Sequence, residues 1–493
     1  MLNLLNSLHR GARSLPSVPT LLGLALASEI VWIGVFLLRF PVWRYYRQDT
    51  DMGAITGHSV PAFWEFIAAF AVLFALFGVA LAIGSRLSGR GALWCVLGAG
   101  AAMGSTLSFV YPITAVDVFT YIAQSRILLY YHQNPVVVVP ASYPGDQIMK
   151  MTDGWSGTGA PYGPIGILID ALPSLPAQGN LLLTLILTKL FFTLLALIAA
   201  YLAWQILRPV SNATALTGAL FIAWNPLILF ETSVNGHNDV VMMVLLLLAL
   251  DSVVSRDLVA ATVLIVGSAL VKYGTGVLLP LFLVHALANS TNRLRYLVTA
   301  GALSGALLIL AYLPFWDGPE TLTRTLLENS FHFESFGSVL VTFFPIGIDP
   351  ATAIGRVLYL PVYLYALYRA RGSVFELIQS CFWALLGFLG LASANFRIWY
   401  ALWPNFLAAA GTNGRSRLAA ALMGLGATLS ATFYGFLWVW DNLRDFAMVN
   451  DLGYVVTFGP PVLVFVFYWV RAGSRPAVRW NSRVDRSEAT QSG

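Results

Sequence analysis

Long apolar blocks, each closed by a short polar break, recur along the chain. They show neither the strict alternation of half-buried strands nor the single apolar stripe of a surface helix. The first reads LGLALASEIVWIGVFL over 23–38. Helices that are apolar on every side belong in lipid or in the middle of a large bundle, and a bilayer span needs about 20 such residues, fewer where a helix is broken. The pattern predicts candidate spans at 22–39, 61–85, 91–111, 180–207, 214–231, 239–255, 258–272, 275–289, 296–314, 353–369, 374–392, 397–411, 418–438 and 452–471. The expected fold is therefore an all-α integral membrane protein, a multi-pass helical bundle of about 12–14 spans.

Composition agrees with this pattern. The 493 residues are 58% hydrophobic and 10% charged, with a mean hydropathy of +0.74, well beyond what a soluble domain requires. Arg10 and Arg13 precede the first block and no small-residue cleavage site follows it, so it reads as a retained span. Cys95 and Cys381 fall inside apolar runs and read as small core residues, with no disulfide or metal framework. No Gly-rich loop of the Walker or Rossmann type is present, which argues against an ATP-driven pump or a dinucleotide enzyme.

Charge sets the expected orientation. Alternate loops carry Arg86 and Arg90, Arg208, Arg256, Arg293 and Arg295, Arg369 and Arg371, and Arg415 and Arg417. Basic loops stay in the cytoplasm, which places both termini there; the basic excess then orients the chain and does not call for nucleic acid. Arg39, Arg44 and Arg47 run against the rule. The expected organisation is one transmembrane domain over 1–475, followed by a basic, disordered cytoplasmic tail at 476–493. The outer loops fall at about 112–179, 232–238, 315–350 and 439–451, and they gather most of the chemically capable residues on one face.

Asp117 heads the first of these segments, DVFTYIAQSRILL. At 100° per residue Asp117, Tyr121, Gln124, Ser125 and His132 share one sector, while Arg126 points away. The segment reads as an amphipathic helix at the membrane interface, its polar stripe turned either to a cavity or to solvent. GWSGTGAPYGPIG at 154–166 cannot be a regular helix and forms a turn-rich loop with aromatic walls, among them Tyr162. In SVNGHNDVV at 233–241, Asn235, His237, Asn238 and Asp239 crowd a turn; Asp239 either fixes the His237 tautomer or caps the next helix. Two such ligands make a poor metal site, so no metal is expected. Lys272 is the only lysine in a long apolar stretch, and Tyr273, Gly274 and Gly276 predict a helix break beside it. Lys272 either pairs with an anion or snorkels to the interface, and Lys189 has the same two readings. Arg397 precedes Trp399 and Trp403, an interfacial belt in form, and its planar fork suits a phosphate. Glu29 and Glu231 receive no account from spacing alone.

The ordered series DVFTYIAQSR, Asn134-Pro135, Trp155, Pro161 to Pro164, Asn225-Pro226, Glu231, Asn235 to Asp239, Lys272-Tyr273, Trp399-Tyr400 and Trp403-Pro404 resembles a known group. The group is the polytopic, polyprenol-phosphate-dependent mannosyltransferases of the GT-C class, in particular the α-1,6-mannopyranosyltransferases. Val136 and Ser125 depart from the group's usual Tyr and Gly. The resemblance implies transfer of a hexose, mannose in that group, from a polyprenyl-phosphate donor to a glycan or glycolipid acceptor on the outer face of the plasma membrane. Asp117, matching the group's acidic position, becomes the general base of a single inverting displacement. Lys272 and Arg397 become the cations on the leaving phosphate. Tyr121, Gln124, Tyr162, His237, Asn238, Asp239, Tyr273 and Trp399 become substrate-binding residues. No cofactor is implied, and the partners are these lipids and glycans. The competing class is a lipid flippase or solute carrier, since broken helices and intramembrane charge also mark transporters.

Overall fold

The computed structural model describes residues 17–319, 321–322, 333–440, 443 and 445–473. Arg10, Arg13 and the tail at 476–493 lie outside the described residues, as do parts of the 315–350 and 439–451 loops. The chain folds as a multi-pass helical bundle; among the described residues the only β-type pairings are two isolated bridges.

The first half contains α1 (Ser17–Val31), α2 (Val60–Gly84), α3 (Arg90–Leu107), α4 (Asp117–Leu129), α5 (Pro164–Ala171), α6 (Leu181–Leu207), α7 (Asn212–Ala223) and α8 (Asp239–Val254). The second contains α9 (Leu258–Ala269), α10 (Leu279–Asn289), α11 (Arg293–Tyr312), α12 (Phe336–Phe343), α13 (Ile348–Arg369) and α14 (Val374–Gly387). The last helices are α15 (Leu402–Ala410), α16 (Gly414–Phe436) and α17 (Phe446–Gly473). Their starts follow capping chemistry: Asn180, Ser211, Asp257 and Asn292 each accept the backbone N–H of the residue three positions on. Ser373 and Glu376 close a reciprocal capping box at α14.

Seven helices among the described residues are long and apolar enough to cross a bilayer, and the bent pair Asn212–Ala223 with Pro226–Val234 makes an eighth. The other apolar stretches fold into shorter or less apolar helices. Thus α8 has 16 residues, α9 has 12, α10 has 11 and α15 has 9. Short elements of this kind expose backbone ends inside the bundle, and polar side chains must satisfy them. The candidate site lies where several such ends meet.

Helix α4 is not an interfacial helix with a solvated face; of the two readings of its stripe, the cavity holds for its first residue, Asp117, which lines one. Every residue from Asp117 to Ser125 is buried, so the helix is enclosed by protein and its polar stripe is not solvated. His132 does not extend the stripe: α4 ends at Leu129, and His132 is exposed with φ of 52°. Asn134 does form the expected turn, accepting the Val136 N–H at 3.0 Å and donating to the Phe315 carbonyl at 2.8 Å.

The Gly-rich loop is seated on the predicted helix break. After α9 the chain leaves helical geometry at Lys272 and resumes as a 3-10 turn over Tyr273–Leu278. Carbonyls freed there receive the loop: the Gly163 N–H donates to Val271 O at 3.0 Å, and the Ile165 N–H to Leu270 O at 3.1 Å. A Cβ on Gly163 would lie 2.0 Å from Leu270 O, so only glycine permits this approach. The sequence of the loop thus places Tyr162 beside Lys272.

Candidate active site

The turn between α7 and α8 is the centre of the site. Pro226 restarts the helix, which widens to a π turn over Phe230–Val234 and stops at Asn235. Gly236 has φ of 73°, and a side chain there would press within 3.0 Å of Val118 on α4. The turn therefore sits directly against the first residues of α4, where Asp117 lies.

His237 is fully buried between two carboxylates. Its Nδ1 is 3.9 Å from Asp117 Oδ2, and its Nε2 is 3.2 Å from Glu231 Oε2. Its ring stacks on Trp399 at 4.1 Å with planes 18° apart. Asn235 supports the same group, donating to Glu231 Oε2 at 3.0 Å and to Thr114 Oγ1 at 2.7 Å. Of the two roles open to Asp239, fixing the His237 tautomer or serving the start of the next helix, the structure places it in the second setting. Asp239 begins α8 and turns away, accepting Lys272 Nζ at 2.5 Å and Trp403 Nε1 at 2.7 Å. Glu231, within the π turn, takes the place beside His237.

Lys272 is therefore paired, not snorkelling. Its ammonium also lies 5.2 Å from the Tyr162 ring and 5.9 Å from that of Tyr400, two cation–π contacts. Tyr162 meets Tyr121 edge-on at 5.1 Å, which joins the loop to α4. Trp399 and Trp403 do not form an interfacial belt: one stacks on His237 and the other, 3% exposed, holds Asp239. Lys189 is also buried, its ammonium donating to the Val110 carbonyl.

Asn238 and Gln124 are both buried in this region. Asn238 donates to Asp170 Oδ2 at 2.7 Å, and Asp170 sits in the apolar helix α5 at 4% exposure. Sequence reasoning missed Asp170; a lone acid inside PIGILIDALP was the available signal. It also left Glu231 without a role. Tyr273 stands apart, its hydroxyl 2.9 Å from that of Tyr312 on α11. Arg126 leaves the cluster too: it bridges to Asp146, which also accepts the Tyr131 hydroxyl at 2.9 Å.

A cavity of about 320 Å³ opens onto this cluster. Asp117, Trp155, Phe333, Arg397, Trp399 and Tyr434 all line it. The Arg397 guanidinium lies over the Phe333 ring at 4.6 Å, and among the described residues no carboxylate is within ion-pair distance of it. Lys272 is not among the lining residues. The cavity thus presents two carboxylates, Asp117 and Asp51, together with Arg397 and aromatic walls; Asp51 is engaged in capping, its Oδ1 accepting the Ala54 N–H at 2.8 Å. Among the described residues no three His, Cys, Asp or Glu side chains are grouped to hold a metal ion.

A family model described as "Alpha-(1->6)-mannopyranosyltransferase, N-terminal domain" matches residues 20–289. That stretch contains Asp117, Glu231, His237 and Lys272, whereas Arg397 and Trp399 lie beyond it. Alpha-(1->6)-mannopyranosyltransferase A of Mycobacterium tuberculosis (strain ATCC 25618 / H37Rv) is 29% identical over 202 residues. The match covers 40% of this chain and spans 38% of the length of that relative.

Proposed function

Because the chain belongs to the alpha-(1->6)-mannopyranosyltransferase family, we propose that it is a membrane mannosyltransferase acting from a polyprenyl-phosphate donor. The acceptor is a lipid-linked or cell-envelope glycan, and the site faces the extracytoplasmic side. One observation carries the mechanism: Asp117 and Arg397 line a single cavity with aromatic walls.

A carboxylate and a guanidinium in one cavity suit a displacement at an anomeric carbon. The acceptor oxygen attacks that carbon as its bond to the phosphate oxygen breaks, which inverts the centre. Asp117 takes the acceptor proton, and the departing phosphate leaves as an anion facing Arg397. The planar fork of arginine matches phosphate oxygens two at a time. Trp155 and Trp399 offer flat apolar faces to a sugar ring. Lys272 acts one step back: bound to Asp239, it fixes the start of α8 and so the His237 turn.

The test is transfer in proteoliposomes containing the full chain, radiolabelled polyprenyl-phosphate mannose and a short mannan acceptor. Asp117→Asn is expected to abolish transfer while donor still binds. Undiminished transfer by that variant would remove Asp117 as the base. Intact donor crossing the bilayer without product would assign the protein to the carrier class.

A further inference from the structure

Behind the Arg397 wall of the cavity lies a corner that the mechanism above does not use. Phe333 and Glu334 run alongside residues 394–396: the Phe333 N–H donates to Ala394 O at 3.3 Å, and Phe333 O accepts the Phe396 N–H at 2.8 Å. The Phe333 ring stacks on Tyr434 of α16 at 4.6 Å, and the Arg397 guanidinium rests over that same ring. Arg397 is thereby aimed by the residue immediately before Glu334.

Glu334 combines two unfavourable features. Its φ of 43° lies in the left-handed region that a non-glycine residue rarely adopts. Its carboxyl group is also wholly buried. Local strain and a buried acid beside a cavity are retained where something else depends on them. Three contacts hold the corner: the Ser430 hydroxyl donates to Glu334 Oε1, the Glu334 N–H donates to Asn450 Oδ1 at 2.5 Å, and the Tyr434 hydroxyl donates to that same oxygen at 3.0 Å. Oε2 of Glu334 has no hydrogen-bond partner among the described residues.

We propose that Glu334 is a positioning residue for the donor phosphate: it locks Phe333 beneath Arg397 and leaves the guanidinium without a counter-ion, free to receive the phosphate. This rests on the reading of Arg397 as the phosphate ligand.

Burial pushes the Glu334 carboxyl up to about 8, against the opposing influence of the Ser430 hydrogen bond and the Arg397 charge. Among the titratable groups on the packed elements, Tyr434 on α16 feels the Glu334, Arg397 and Asp451 charges, Asp451 lying with Tyr454 on α17. Below about pH 8 the neutral form of Glu334 predominates and does not compete for Arg397. As pH rises through 8 the carboxyl ionises, attracts Arg397, and competes with the phosphate. Donor affinity therefore falls across that step. A sugar phosphodiester keeps one negative charge throughout, so the step belongs to the protein.

The experiment measures binding of polyprenyl-phosphate mannose to the full chain in nanodiscs from about pH 6.5 to about pH 9.5, a window that brackets the shifted carboxyl. For the wild-type protein a loss of roughly tenfold is expected above pH 8, as for a competing charge worth about one pKa unit. Glu334→Gln should flatten the profile. Ser430→Ala removes a bond that favours the ionised form, so it should move the step to higher pH; this variant decides the matter should Glu334→Gln fail to fold. A flat wild-type profile overturns the proposal, as does an undisturbed step in either variant. Arg397→Ala separates the two levels. Unweakened binding in that variant overturns the phosphate reading itself, whereas weak binding beside an unchanged step in Glu334→Gln overturns only the role of Glu334.

Discussion

His237 Nδ1 stands 3.9 Å from Asp117 Oδ2, and the opposite edge of the same ring faces Glu231 at 3.2 Å. An imidazole so placed couples the base to a second carboxylate, while Trp399 prevents the ring from turning. His237→Ala is expected to lower transfer on the order of a hundredfold, within the range for a group that orients or assists a general base. Donor binding should change far less, and a turnover assay run beside equilibrium binding separates the two.

The largely buried Lys272 pairs with the fully buried Asp239, and Trp403 occupies the second oxygen of the acid. Removing one partner strands a charge, so Lys272→Met and Asp239→Asn should each cost about 3–5 kcal/mol. The double variant should recover part of that loss. Thermal unfolding of the four proteins in detergent gives the coupling energy, and strictly additive losses would refute the pairing.

Gly163 and Gly157 belong to the same loop but face different surroundings. A Cβ at Gly163 would meet Leu270 O at 2.0 Å, whereas none of the surrounding atoms lies within 4 Å at Gly157. Gly163→Ala should destabilise by about 1–3 kcal/mol through forced backbone displacement, and Gly157→Ala by much less. Parallel melting curves and transfer assays compare the two.

Asp146 offers a test by pH. Burial alone would raise its carboxyl, but the Arg126 bridge, the Ile148 N–H and the Tyr131 hydroxyl together hold it below its ordinary value of 3.8. A depressed carboxylate adds stability that is complete above the unfolded value and is lost as pH falls through the folded one. The contribution should therefore be constant from about pH 5 to about pH 8. Asp146→Asn should make the 140–155 loop more sensitive to protease by the same factor throughout that window. A difference that shrank as pH rose would contradict the sign.

Much of the architecture was legible from local pattern. Apolar blocks marked the helices, the Gly and Pro run marked the loop, and Tyr273, Gly274 and Gly276 marked the break after Lys272, because helix length and helix interruption depend on neighbouring residues. The site was legible as an inventory: Asp117, His237 and Arg397 were each visible as costly residues in an apolar chain. Their partners were not. Asp170 meets Asn238 across 68 residues and Trp403 meets Asp239 across 164, separations that carry no periodicity to read.

Sequence alone therefore determined that this chain is a membrane bundle and which residues in it are too polar to be there without reason, since transfer free energy is a property of each residue. Only the tertiary structure decided which acid faces His237, that Lys272 is committed to Asp239, and that Arg397 is left open to the cavity. Those outcomes turn on hydrogen-bond and ion-pair distances of about 3 Å between residues far apart in the chain, which local sequence pattern does not encode.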